Sequence, residues 1–300
     1  MPKKEVTNIA GSIKARLLNY SQKNSLEFNS VLLQYLQERL LFRISKSIYS
    51  QNFILKGALL FLAHDISRLR PTKDIDLLGK FLTNELDSIK EIFREVCSIK
   101  YEDGILFDPV SVSTENITEQ DKYHGIRILL IAYLGTAKQK IQIDISFGDI
   151  IYPEPLEIVY PTLLDFEAPR LKVYSLETAV AEKFEAAVSL GIATSRMKDF
   201  FDIHFLASNH QFDLLTLHYA VTETFKNRQT SIEKRLSLFE DAFKKDKNLK
   251  LLWTSFLKKR SLKSEEQFFE VVANIEKFIE PSCNEVKATK TWNPKDWKWI

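Results

Sequence analysis

Asp74 and Asp76 stand two residues apart in Lys73-Asp74-Ile75-Asp76-Leu77, an alternation that reads as a β-strand. A strand repeats every two residues, so both carboxylates leave one face while Ile75 and Leu77 turn to the core. Two adjacent carboxylates repel each other unless a cation lies between them, and a divalent metal is an economical occupant. Further on, Ile141, Ile143, Ile145 and Phe147 alternate with Gln142, Asp144 and Ser146, so Asp144 projects from the polar face of a second strand. Three strand-borne carboxylates holding Mg²⁺ are what nucleotidyl transfer from a triphosphate requires. A lone D-x-D is more often a turn or edge-strand pair, and the third Asp on another strand weighs against that reading.

A triphosphate must also be gripped. Gly57, ahead of the D-x-D, lets backbone N–H groups approach phosphate, with Lys56 adjacent, although a tight turn at a strand end also explains a glycine there. Two helices carry further charge. In the helix that Ser175 caps, Lys183 falls inside the apolar stripe formed by Leu176, Val180, Phe184 and Ala187. An ammonium in that position either snorkels past the edge of the stripe or meets an anion in a cleft. The next helix, Arg196–Leu206, is apolar all round and should be buried. Within it Lys198 and Asp202 are four apart, and Asp199 is a turn-mate of Arg196 and Asp202. This set is either an internal salt-bridge ladder or the second wall of an active cleft.

The elements that must position these residues follow from periodicity. Residues 8–48 read as two helices, 52–63 as a strand–helix junction around Lys56-Gly57, and 84–97 as an amphipathic helix. Ile126–Leu134 and Lys140–Phe147 form a hairpin across residues 135–139. A Pro-rich connector leads to an almost wholly helical second half, so the expected domains are 1–170 and 171–300. The class is α+β, a mixed sheet with flanking helices followed by a C-terminal helical bundle.

Composition bounds the rest. The chain has 300 residues with a formal net charge of +2, so any nucleic-acid surface must be local. Only 8 glycines are present, with neither a dinucleotide-binding nor a Walker glycine motif. Two distant cysteines fit a reducing compartment and argue against structural zinc. No secretory leader and no apolar run of membrane-spanning length is found, so a soluble cytoplasmic protein without a membrane partner is expected.

Taken together, Lys56-Gly57-Ala58, Arg70-Pro71-Thr72-Lys73-Asp74-Ile75-Asp76, Ile143-Asp144-Ile145, Ala181-Glu182-Lys183-Phe184 and Arg196-x-Lys198-Asp199-x-x-Asp202 resemble the AbiEii/AbiGii-type nucleotidyltransferase toxins of the DNA polymerase β-like superfamily. The resemblance runs from about Gly57 to Leu206 and takes in the N-terminal helices. It implies a nucleotidyltransferase fold and a Mg²⁺-dependent enzyme that moves a nucleoside monophosphate from an NTP to an acceptor. By motif position, Asp74 and Asp76 would bind metal, and Asp144 would be a third metal ligand or a base. Lys56, Gly57 and Ala58 would meet the triphosphate, Arg196 and Lys198 the nucleotide, and Lys183 and Asp202 would be the essential pair on the helices. Ala58 departs from the family, which often has Gly, Ser or Thr there, and forfeits a hydroxyl contact to phosphate. Relatives of this type are toxins of toxin–antitoxin or phage-defence pairs, and some add nucleotides to the 3′ end of tRNA. The implied partners are a winged-helix antitoxin encoded next door and an RNA acceptor.

The acceptor has its own clue. Lys226–Lys263 holds 12 Lys/Arg against 4 Asp/Glu, interleaved with Phe239, Phe243, Trp253 and Phe256. RNA would be drawn to such a surface, yet solvated helix faces and core aromatics produce the same pattern. Two rival functions stay open at this point: a nucleotidyltransferase acting on a protein side chain or a small molecule, and an inactive fold serving as a binding module.

Overall fold

The computed structural model describes residues 8–64, 72–119, 123–260, 262 and 266–300. Arg70 and Pro71 of the motif lie outside them, as does Lys263 at the end of the basic stretch. The chain divides into two compact units: residues 1–148 with 156–173, and residues 149–155 with 174–300.

In the first unit the chain runs through helices α1 (Ile9–Lys23) and α2 (Phe28–Lys46), strand β1 (Phe53–Lys56), helix α3 (Leu59–Ala63), strand β2 (Asp74–Gly79) and helix α4 (Leu86–Ser98). Strands β3 (Ile105–Glu119), β4 (Tyr123–Leu134), β5 (Ala137–Phe147), β6 (Leu156–Val159) and β7 (Arg170–Val173) complete it. The seven strands form one sheet in the order β3-β4-β5-β2-β1-β7-β6. β5 and β2 run parallel, as do β1 and β7, and the remaining neighbours are antiparallel, so the sheet is mixed as expected. Ile75, Leu77, Ile141, Ile143, Ile145, Ile126 and Ile128 are buried on its apolar side. The β4–β5 turn is shorter than the sequence pattern suggested. Residues 135 and 136 make the whole connection, Gly135 with φ of +59°, and pairing begins at Leu134↔Ala137.

α2 is buried along most of its length, including Glu38, Arg39 and Arg43. The two arginines converge on Asp103, with Arg39 Nε and Arg43 Nη2 each 2.8 Å from its carboxylate, and Arg39 Nη1 donates to the Glu167 carbonyl at 2.8 Å. Buried guanidiniums need such partners, because an uncompensated charge in the interior is costly. The network ties α2 to the chain between α4 and β3.

The second unit is helical: α5 (Leu176–Leu190), α6 (Met197–Asn209), α7 (Leu214–Asn227), the short α8 (Leu236–Phe239) and α9 (Asp241–Lys244), α10 (Lys247–Arg260) and α11 (Phe268–Ile279). Ser175 caps α5 by accepting from the Thr178 N–H, as its residue type suggested. A two-stranded ribbon, β8 (Trp292–Asn293) and β9 (Lys298–Trp299), closes the tail. Trp292 is fully buried, donates from Nε1 to the Ala207 carbonyl at 2.7 Å and packs edge-on to Phe278. The aromatic tail is therefore a packed cap.

Burial pushes the Glu38 carboxyl up to about 7, opposed by the Leu163 N–H that it accepts at 2.7 Å and by Arg39. The folded protein then keeps a proton that the unfolded chain has lost, and stability falls as pH climbs from about 4.5 to about 7. Glu38→Gln should flatten that fall. Urea unfolding of both proteins at pH 4.5 and pH 8 should show the variant gaining on the wild type by on the order of 2 kcal/mol between the two conditions.

Candidate active site

β1, β2 and β5 set the acidic residues. β5 and β2 pair with Asp144 beside Asp76 and Gln142 beside Asp74, while β1 pairs with Lys56 opposite Asp76. The period of two then brings Asp74, Asp76 and Asp144 to one face, where each offers a carboxylate oxygen within 4.8 Å of the others. All three are half-buried. Oxygen donors alone, at this spacing and partly removed from water, suit a hard divalent cation such as Mg²⁺. The donor set fits the metal that the motif implied.

Neighbours hold the carboxylates in place. Thr72 Oγ1 donates to Asp74 Oδ1. Lys56 Nζ donates to Ser146 Oγ at 3.0 Å, which lays the lysine along the same polar face. Arg127 on β4 lies opposite Asp144 and grips it with a fork, Nε to Oδ1 at 2.9 Å and Nη2 to Oδ2 at 2.8 Å. These hydrogen bonds, reinforced by the charges of Asp144, Glu115 and Asp74, hold the guanidinium's pKa above its usual value against partial burial. Glu115 on β3 faces Arg127 in turn, 3.7 Å away. The strand registers thus align one charged row across five strands: Glu115, Arg127, Asp144, Asp76, Lys56.

Gly57 follows β1 with φ of +67°, in the left-handed region that side chains avoid. A Cβ at that position would overlap the Asp76 carboxylate and lie 2.7 Å from Asp76 Cβ. The glycine is therefore required by the backbone turn and by the close approach of Asp76. Ala58 follows it as the residue before α3.

The helical unit holds the other predicted residues. Lys183 is largely buried and bridges two carboxylates, Asp202 at 2.8 Å and Asp199 at 3.2 Å. Arg196 closes on Asp199 at 2.6 Å. Burial alone would push the Asp199 carboxyl up, but Lys183, Arg196 and Lys198 together hold its pKa below the ordinary carboxylate value. Lys198 itself is exposed on the first turn of α6. Glu182, next to Lys183, accepts from Tyr174 at 3.1 Å and faces Arg228, which also pairs with Glu185 and Asp149. The lysine in the apolar stripe is thus matched by acids from the following helix, a pairing that no periodicity within α5 could reveal.

The sequence names Thr72, Gln142 and Ser146 only as neighbours of the carboxylates and gives no role to them or to Arg127. Arg127 lies within the apolar run Ile126–Leu134, where nothing local marks a role for it. Its place opposite Asp144 follows from the two-residue turn at 135–136.

Residues 39–274 match the family described as nucleotidyl transferase AbiEii toxin of type IV toxin–antitoxin systems. The chain belongs to this AbiEii family. As a member it is a nucleotidyltransferase of a toxin family, and membership implies an antitoxin partner. Enzymes of this kind typically use a divalent metal, and the acidic cluster supplies a donor set. The crystal structure of JHP933 from Helicobacter pylori shares the fold at a TM-score of 0.51 and 15% identity, over 86% of this chain and 93% of that one. A second H. pylori crystal structure aligns over 86% of this AbiEii chain and 96% of its own, with a TM-score of 0.49 and 15% identity. No curated protein matches the sequence. Among the described residues, no helix is long and apolar enough to cross a membrane.

Lys183→Met should leave Asp202 buried without its ammonium. Removing one partner of a buried pair typically costs about 3–5 kcal/mol. Chemical unfolding should therefore show a large loss of stability, and lost activity in this variant has to be read against its folded fraction.

Proposed function

We propose that this AbiEii chain transfers a nucleoside monophosphate from an NTP to the 3′ end of tRNA, with Mg²⁺ at Asp74, Asp76 and Asp144. The convergence of those three carboxylates on one sheet face is the observation that carries the reading. Bound there, the ion would offset the negative charge of the triphosphate and favour the ionised form of the attacking hydroxyl. Asp74 and Asp76 serve as its ligands. Asp144 is the third acidic group of the site, as a further ligand or as the base for the acceptor hydroxyl.

Lys56 and the backbone at Gly57-Ala58 receive the triphosphate, and the bare Gly57 lets the Asp76 carboxylate pack directly against that turn. Without a hydroxyl at Ala58 the backbone N–H carries this contact. Arg196 and Lys198 are assigned to the nucleotide, and Lys183 and Asp202 are both needed for transfer. The charge of Lys183 is already met by Asp199 and Asp202, so its part is to hold Asp202 and the start of α6 in place as much as to attract an anion.

An RNA acceptor is supported by the C-terminal helices, in a reduced form. Arg228 and Arg235 of the basic stretch turn inward to acidic partners, and Phe243 and Trp253 belong to the core. Lys234, Lys247, Lys250, Lys258 and Lys259 remain exposed. A surface hollow of about 180 Å³ is lined by Lys244, Lys245, Lys250 and the half-exposed Phe269; Lys244 and Lys245 already pair with Glu276 and Asp241, so Lys250 beside Phe269 is the combination suited to a phosphate and a base. The antitoxin is proposed to be a winged-helix protein encoded beside this chain, the pair acting in the cytoplasm in phage defence.

Incubating the protein with Mg²⁺, each α-labelled NTP in turn and total tRNA tests the reading. Label should enter tRNA with one preferred NTP, and Asp74→Ala should lower transfer by more than about a hundredfold while leaving the circular dichroism spectrum unchanged. Label entering protein, or full transfer by Asp74→Ala, would overturn it.

A further inference from the structure

Asp144 is heavily engaged within the acidic cluster. Arg127 donates to both of its oxygens, and Gln142 Nε2 lies 3.2 Å from each. An ionised carboxylate has about four lone-pair sites, so these contacts leave little room for another electrophile. The donors are fixed by the fold: Arg127 stands directly opposite Asp144 in the β4–β5 register, and Gln142 precedes it by two residues on the same strand face. A guanidinium stays charged at any pH the protein meets, so the clasp cannot be opened by losing a proton. Arg127 is itself anchored from behind by Glu115 and remains one-third exposed, with room to swing.

A bound divalent ion and Arg127 are both cations seeking the same carboxylate. We infer that Arg127 is a resident counter-cation of the acidic site: it holds Asp144 in the metal-free protein, and Asp144 joins a bound divalent ion only as Arg127 gives it up. This rests on the reading of the cluster as a divalent-metal site. The arrangement has two consequences of opposite sign. Arg127 stabilises the metal-free fold, because it relieves the repulsion of Asp144 against Asp76 and Asp74. It weakens metal binding, because it places a like charge beside the ion and occupies one ligand. Asp74 and Asp76 are then the standing ligands, and Asp144 is a conditional one. A residue that merely aimed Asp144 at the metal would act the other way, and its loss would weaken binding.

Titration of the full-length protein with Mn²⁺, followed by the electron paramagnetic resonance signal of the free ion, separates the two. Arg127→Met should bind Mn²⁺ at least about tenfold more tightly than wild type, as loss of a unit charge near the ion requires. The same variant should melt at a lower temperature in chelator and gain more from added Mn²⁺. Arg127→Lys keeps the charge without the fork and should fall between, which preserves the test if the methionine variant does not fold. Adding Asp144→Asn to Arg127→Met should abolish the gain. Equal or weaker Mn²⁺ binding by the arginine variants, or tighter binding that survives in the double variant, would overturn the inference. Absence of Mn²⁺ binding by the wild type would instead remove the metal-site reading beneath it.

Discussion

Three carboxylates brought together on one sheet face repel one another, and much of the first unit serves to make that repulsion tolerable. Asp74, Asp76 and Asp144 converge because β5 lies parallel to β2 in a register that sets Asp144 beside Asp76. The flanking strands bring cations to both ends of the row, Arg127 beyond Asp144 and Lys56 beyond Asp76. Charge therefore alternates outward from the acidic centre. The apolar face of the same strands, with Ile75, Leu77, Ile143 and Ile145 fully buried, fixes the register, since a slip of one residue would send every carboxylate into the core. Gly57 belongs to the same construction, because any side chain there would displace Asp76.

The helical unit handles charge differently. Lys183, Arg196, Asp199 and Asp202 form a cluster in which two cations meet two acids, and the acids are almost completely buried. Desolvation and pairing nearly cancel in such a set, so it specifies the geometry of α5 and α6 more than it adds stability. The consequence for function is that no member can be removed without disturbing the others. Activity lost on substitution of Lys183 or Asp202 carries meaning only alongside a measurement of folding.

How much of this was legible in the sequence depended on whether the signal was local. Strand alternation marked Asp74, Asp76 and Asp144 as residues of polar faces, and Ser175 marked the start of α5. The strand–helix junction at Lys56-Gly57 followed from its apolar run and its glycine. What pairs across space was hidden. A turn over residues 135–139, as the strand alternation suggests, would set Phe147 opposite Arg127; the two-residue turn sets Asp144 there instead. β3 left no clear pattern because its pairing with β4 shifts between Asp108 and Ser113, and Pro109 lies at that break. Nothing in α2 announced that Arg39 and Arg43 would share Asp103, 60 residues or more along the chain. In α5, the lysine inside the apolar stripe was visible and its partners on α6 were not.

The central claim is that the carboxylates of Asp74, Asp76 and Asp144 form the divalent-metal site of this AbiEii nucleotidyltransferase. Crystals soaked in Mn²⁺ and measured at the manganese absorption edge address it directly. The account predicts an anomalous peak among these three carboxylates, absent from crystals of an Asp74→Asn, Asp76→Asn double variant. Manganese bound elsewhere with this face vacant, or a peak that survives loss of both aspartates, would contradict it.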